Sequence, residues 1–190
     1  LKQRNELLKQ EMVDAGDVFS WDVLLTKYGT ELRNERSEYI DQISEKITEV
    51  YRSIAENEDE IAIRYVSEVE SESGFLARLE RDFERDRLLG HTSFGVHRDN
   101  YDFVFNGVQA DGSASRGEVR SMVIALKFIE AEMVVERLGR PPVVLLDDVF
   151  SELDETRQKC LVKNFQNNQI FLTSCGSQED LTGCVALKRQ

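Results

Sequence analysis

Residues 141–154 read PPVVLLDDVFSELD, and this stretch decides the fold. Two prolines open it, four apolar residues from Val143 to Leu146 follow, and the run ends on the adjacent carboxylates of Asp147 and Asp148, with a third acid at Asp154. A short unbroken apolar run behind a turn signal predicts a buried strand of an α/β sheet. Burying an unpaired carboxylate is costly unless a cation or a proton neutralises it. Ligands of such sheets sit at the carboxyl ends of strands, where Asp147 and Asp148 fall. The tip of this strand is therefore expected to hold a cation, a proton or a phosphate-linked metal.

Working upstream, residues 113–139 carry Val119, Met122, Val123, Ile124, Leu126, Ile129 and Met133, the wide apolar face of a helix that Gly139 should stop. Ser115 and Glu118 stand in the Ser-x-x-Glu relation of a capping box, so the helix should begin close to Arg116 or Gly117. Its first N–H groups and positive dipole end then lie beside a glycine, an arrangement by which a backbone receives phosphate. Before it, YDFVFNGVQADG alternates Tyr101, Phe103 and Phe105 and supplies Asn106-Gly107, the pair favoured where both turn residues need positive φ. A β-hairpin is expected there.

Residues 1–90 have a different texture, and they predict a mostly helical arm. Trp21, Leu25, Tyr28, Leu32, Tyr39, Ile43, Ile47, Val50 and Ile54 recur at steps of three and four and read as the core stripe of one long helix, with Ser20 as its N-cap. A shorter helix over residues 1–15, ended by Gly16, should precede it. Ile61, Ile63 and Tyr65 alternate as in a strand, and Phe75, Leu76, Leu79 and Phe83 suggest another helix closing near Gly90. The division expected is an arm over 1–90 and an α/β lobe over 91–190.

Composition narrows the partners. The chain has 190 residues with 36 acidic and 24 basic side chains; residues 1–90 hold 22 acids and 13 bases, net −9, and residues 91–190 hold 14 and 11, net −3. Phosphate neutralisation supplies most non-specific nucleic-acid affinity, so any DNA contact must rest on local arginines or on a part of the protein outside these residues. No apolar run reaches the length of a membrane span. Cys160, Cys175 and Cys184 form no CxxC pair, which points away from a zinc site and toward a reducing cytosol.

A Ser-x-Gly helix start, a helix of some two dozen residues, a Pro-bounded strand ending in Asp-Asp and then Ser-Glu-Leu-Asp form a series that resembles the signature motif, Walker B strand and D-loop of ABC-type ATPases. Within that group the chain resembles the RecF family of bacterial recombination and repair ATPases, which are SMC-like. LKQRNELL at residues 1–8, ERDFERDRLLGHTSFGVHRDNYDF at 80–103 and LLDDVFSELDETR at 145–157 carry the likeness together with the Ser-Arg-Gly-Glu start. The family usually has Gly-Pro-His-Arg-Asp-Asp where this chain has Gly95-Val96-His97-Arg98-Asp99-Asn100. After QIFLT it offers Thr173, Ser174 and Cys175 where related ATPases commonly place a histidine, so the γ-phosphate sensor is left open. His91 and His97 have no partner spacing that marks a catalyst.

The resemblance implies roles. Asp147 would hold Mg²⁺, directly or through water, and Asp148 would orient or deprotonate the attacking water. Ser151 and Asp154 would meet the opposing protomer, while Ser115, Arg116 and Gly117 would touch the γ-phosphate of ATP held by the other subunit. Hydrolysis would belong to a homodimer closed over ATP on DNA. The partners implied are single-strand gaps or duplex junctions, RecR and RecO, with the RecA recombinase loaded as the outcome. No G-x-x-x-x-G-K-[ST] occurs, so the Walker A half of the head is missing from these residues. The fold expected is α/β, a helical arm plus the C-terminal part of a P-loop ATPase head, and ATP hydrolysis is expected of the complete dimeric protein rather than of this piece. Two other readings compete. A phospho-receiver domain fails because its phosphorylated aspartate lies on a further strand, and the late Asp180 has no strand pattern before it. A degenerate lobe whose acidic arm serves as a protein-interaction module stays open.

Overall fold

A computed structural model describes residues 1–147, 149, 155–165 and 168–173. The element order is α1 (Lys2–Leu8), α2 (Ala15–Ala55), β1 (Ile61–Val66), α3 (Glu72–Arg81), α4 (Phe83–Leu89), β2 (Asn100–Phe105), β3 (Val108–Gln109), α5 (Arg116–Leu138), β4 (Val143–Asp147), α6 (Glu155–Asn164) and β5 (Gln169–Thr173). Contacts divide the chain into two compact units, residues 1–48 with 59–114 and residues 49–58 with 115–190. Among the described residues no helix is long and apolar enough to cross a membrane.

Helix α2 is longer than its apolar stripe predicts, 41 residues or about 60 Å. Gly16 and Ser20 therefore lie inside α2, where the sequence reading has a stop and a cap, and the first helix ends at Leu8. The cap sits nearly two turns earlier. Asp17 N–H donates to Asp14 Oδ1 at 3.1 Å and Asp14 N–H donates to Asp17 Oδ2 at 2.9 Å, the reciprocal pairing of a capping box built from two aspartates.

The core face of α2 also differs from expectation over its first half. Tyr28, Leu32 and Tyr39 are exposed, whereas Val18, Asp22, Thr26, Gly29 and Ile40 are buried and lead into Ile43 and Ile47. Asp22 can occupy that stripe because a buried arginine meets it. Arg4 of α1, fully buried, donates through Nε to Asp22 Oδ1 at 2.5 Å and through Nη1 to Asp86 Oδ2 at 2.7 Å and Thr92 Oγ1 at 2.8 Å. Thr92 is held in turn by Asn5 Oδ1, and Asp86 Oδ1 accepts from both the N–H and the hydroxyl of Ser93. Burial keeps the Asp22 carboxyl above its ordinary pKa even with Arg4 drawing it down. One knot thus joins α1, α2, α4 and the segment after α4.

Next to it, Val69, Phe75, Leu79, Phe94 and Val96 form an apolar cluster with Leu25 against it. The Phe75 ring runs so close to Gly29 that a Cβ there would stand 2.6 Å from Cε1. The predicted helix over 75–90 is two helices, α3 and α4, meeting at Asp82, which accepts from Arg78 at 2.5 Å and from Arg81 at 3.1 Å. Gly90 closes α4 in the left-handed region with φ of 68°.

Strand β1 pairs antiparallel with β2 in the register Ile61↔Phe105 to Val66↔Asn100, and β3 follows through Asn106 and Gly107 with φ of 48° and 82°. The Asn106 side chain fixes the turn, accepting from Glu60 N–H and donating to Asp59. Thr48 Oγ1 of α2 donates to Ile61 O at 2.6 Å, tying the buried Ile61 and Ile63 to Ile43 and Ile47. In the second unit, α5 buries Met122, Ile124, Ala125 and Ile129, and Phe128 meets the buried Phe165 edge to face at 5.3 Å. Strands β4 and β5 are parallel, Val143↔Gln169 to Asp147↔Thr173. The strand expected to be buried is half covered. Val144 and Leu146 are partly enclosed, but Leu145 is 75% exposed and Val143 and Phe171 beside it are also open, because among the described residues the sheet has two strands and one covered face.

Candidate nucleotide and metal site

Helix α5 begins where its capping box places it. Ser115, extended at φ −69° and ψ 162°, accepts at Oγ from Glu118 N–H at 3.3 Å, and Glu118 Oε2 accepts from Ser115 N–H at 2.6 Å. The box engages the N–H of the third helical residue and leaves those of Arg116 and Gly117, which a helix cannot satisfy internally, at the positive end of the dipole. Ser115 and Arg116 are exposed and Gly117 half-buried. The Ser121 hydroxyl donates to Gly117 O at 3.0 Å and steadies this first turn.

Gly117 has a packing reason beyond the helix start. A Cβ at that position would lie 3.0 Å from Arg157 Nη1 of α6, so the guanidinium rests against the bare backbone. Sequence reasoning assigned Arg157 no role, and the faint signal was the small residue at 117. A single sequence does not show which distant side chain a glycine admits.

At the other element, Asp147 ends β4 and Thr173 ends β5, side by side in the parallel register. Thr173 Oγ1 donates to Asp147 Oδ1 at 2.5 Å. The signal for this pair was present as two five-residue runs, VVLLD and QIFLT, each closing on a polar residue. Asp148, Ser151 and Asp154, together with Ser174 and Cys175, lie outside the described residues. Among the described residues no cluster of three or more His, Cys, Asp or Glu is preassembled for a metal. An exposed carboxylate beside a hydroxyl nevertheless suits a hard divalent cation of the Mg²⁺ kind, which takes one or two carboxylates and completes its shell with water and phosphate oxygens.

The histidines are tied to backbone. His91 Nδ1 lies 3.0 Å from Leu89 O and His97 Nε2 lies 3.1 Å from Thr92 O. Burial pushes the His97 imidazole below its ordinary range, against the opposing pull of the Thr92 carbonyl.

A capped Ser-x-Gly helix followed by a parallel strand pair ending in Asp and Thr, on a chain with a long helical arm, defines the C-terminal part of an ABC-type ATPase head. No family profile matches the chain. It is 32% identical over 186 residues to the DNA replication and repair protein RecF of Clostridium perfringens, covering 96% of this chain and 51% of that protein. It is 34% identical over an alignment of 194 residues to the RecF protein of Lachnoclostridium phytofermentans, covering 100% and 53%. The solved structure of the recombination mediator protein RecF with ATP, from the RecFOR pathway, superposes with a TM-score of 0.80 at 28% identity over 95% of this chain and 51% of that one. The chain spans about half the length of the curated relatives it matches. It is a RecF relative, corresponding to the C-terminal half of those proteins.

Proposed function

We propose that these residues are the arm, 1–90, and the C-terminal ATPase lobe, 91–190, of a RecF-like DNA-repair ATPase that dimerises with ATP on DNA. It would act at single-strand gaps or duplex junctions and help load RecA with RecO and RecR. The observation that supports this best is the Asp147–Thr173 pair at the carboxyl edge of a parallel sheet, downstream of a capped Ser-x-Gly helix.

Asp147 would hold Mg²⁺ in this reading, its carboxylate oriented by the hydrogen bond from the Thr173 hydroxyl. The ion would supply positive charge to the nucleotide's phosphates. Asp148 takes the attacking water's proton or fixes its direction. Ser115 presents its hydroxyl, and the N–H groups of Arg116 and Gly117 present the helix dipole, to the γ-phosphate held by the other protomer. Ser151 and Asp154 meet that protomer beside them. Each site is complete only in the closed dimer.

Sedimentation with ATP tests this in the protein expressed with whatever coding sequence precedes Leu1. Ser115→Arg should keep nucleotide affinity and lose ATP-driven dimerisation, while Asp148→Asn should dimerise and then persist. A Ser115→Arg protein that dimerises normally, with Asp148→Asn dimers dissociating as fast as wild type, would favour instead a degenerate lobe whose acidic arm binds proteins.

A further inference from the structure

The loop between α4 and β2 carries an exposed arginine, Arg98, on a fixed support. Phe94 and Val96 are buried in the cluster with Phe75 and anchor the loop. Gly95 between them has φ of +133°, a conformation L side chains rarely adopt, and a Cβ there would meet the Phe75 ring at 2.8 Å. Glycine is therefore required on two grounds.

Polar bonds hold the rest of the loop. Arg36 Nη1 of α2 donates to Val96 O at 2.8 Å. The Tyr65 hydroxyl donates to the Asp99 carboxylate, which Arg36 also approaches at 3.9 Å. His97 Nε2 bonds Thr92 O, and Arg98 N–H donates to Gly95 O at 2.9 Å, closing a tight turn. The acid nearest Arg98 in sequence, Asp99, is thus turned inward and engaged. The Arg98 side chain is exposed, and among the described residues it forms no ion pair or hydrogen bond. Beyond it Asn100 and Tyr101 are exposed at the start of β2.

We infer that Arg98 is a phosphate-binding residue, with the phosphodiester backbone of DNA as its ligand. This rests on the DNA-repair reading above. A guanidinium fork matches two phosphate oxygens, and holding it on a fixed loop lowers the ordering cost of the contact. Within these residues only local arginines can supply such contacts, since residues 1–90 have net charge −9 and offer no basic field.

The test is equilibrium binding of the protein, with any coding sequence upstream of Leu1, to a short gapped duplex across a salt series, with ATP affinity measured in parallel. Arg98→Ala should weaken binding alike for all sequences and lower the slope of log K against log salt by about 1, as loss of one phosphate contact does. Arg98→Lys should restore the slope, because the charge returns. A fall in ATP affinity with the slope unchanged would assign Arg98 to the nucleotide's phosphates and overturn the DNA ligand. Arg98→Ala that matches wild type in both overturns the phosphate site altogether. A wild type that closes with ATP but shows no salt-dependent DNA affinity also overturns it and leaves the ATPase reading standing. One that binds DNA with the expected slope yet ignores ATP does the reverse.

Discussion

The two ends of helix α2 bury one continuous stripe with opposite chemistry. Toward the N-terminus the stripe is Val18, Asp22, Thr26 and Gly29, and toward the C-terminus it is Ile40, Ile43 and Ile47. Spacing is the same in both, steps of three and four, as one face of a 3.6-residue helix demands. Asp22 and Gly29 are buried as deeply as the apolar end because partners wait for them, Arg4 for Asp22 and the Phe75 ring for Gly29. Burial therefore follows from what the facing element supplies, and hydrophobicity marks it only where that element is apolar too.

The comparison breaks most sharply at Arg4. Arg4→Met leaves Asp22 and Asp86 buried without their cation and should cost about 3–5 kcal/mol, in the range of Ile47→Ala at about 2–5 kcal/mol. Acid should tell the two apart. Burial already raises the folded-state pKa of Asp22, and removing Arg4 raises it further, so the folded chain then holds that proton more tightly than the unfolded chain does. Stability lost at neutral pH should consequently return in Arg4→Met as pH falls from the raised folded value toward the unfolded value, with a smaller recovery in Ile47→Ala, which keeps Arg4 beside Asp22. Urea unfolding between neutral and mildly acidic pH measures it, and an equal pH response in both variants would remove the ionic account of the polar end.

Gly29→Ala sharpens the same point by a smaller amount. The new methyl would stand 2.6 Å from Phe75 Cε1, and the ring is pinned on its far side by Gly95, so repacking should cost about 1–3 kcal/mol against about 1 kcal/mol regained in helix propensity. A lowered urea midpoint at unchanged m-value is the expected readout. The smallest effect belongs to Tyr28, which the apolar spacing puts in the core and the fold puts in solvent at 59% exposure. Tyr28→Ser should shift stability by no more than about 0.5 kcal/mol. A loss of several kcal/mol would restore the stripe read from hydrophobicity alone.

Where local chemistry and tertiary surroundings agree, reading the residues sufficed. Asn106-Gly107 specified its turn because few residues accept positive φ, Ser115 and Glu118 specified the start of α5 because they cap each other across one turn, and Gly139 ended it. The span of β4 was legible in the same way, from its apolar run and terminal Asp147, though its burial was not. Motif order then led to the RecF relatives, since the Ser-x-Gly start, the Asp-Asp strand and Ser-Glu-Leu-Asp follow one another in the sequence itself.

Facts that depend on distant partners were not legible. Gly16 and Ser20 looked like a stop and a cap because single residues carry those signals, but Asp14 and Asp17 cap each other at the true start of the helix, which runs through both. The contact of Arg157 with Gly117 joins positions forty residues apart, and the Arg4–Asp86 bond joins positions eighty-two apart. Sequence by itself determined the turn at Asn106-Gly107, both ends of α5 and the span of β4, because those depend on neighbours within a turn or a strand. Tertiary structure alone decided which face of α2 is core and which side chains reach one another, because the cost of burying a charge is set by the group it meets and not by the residue that carries it.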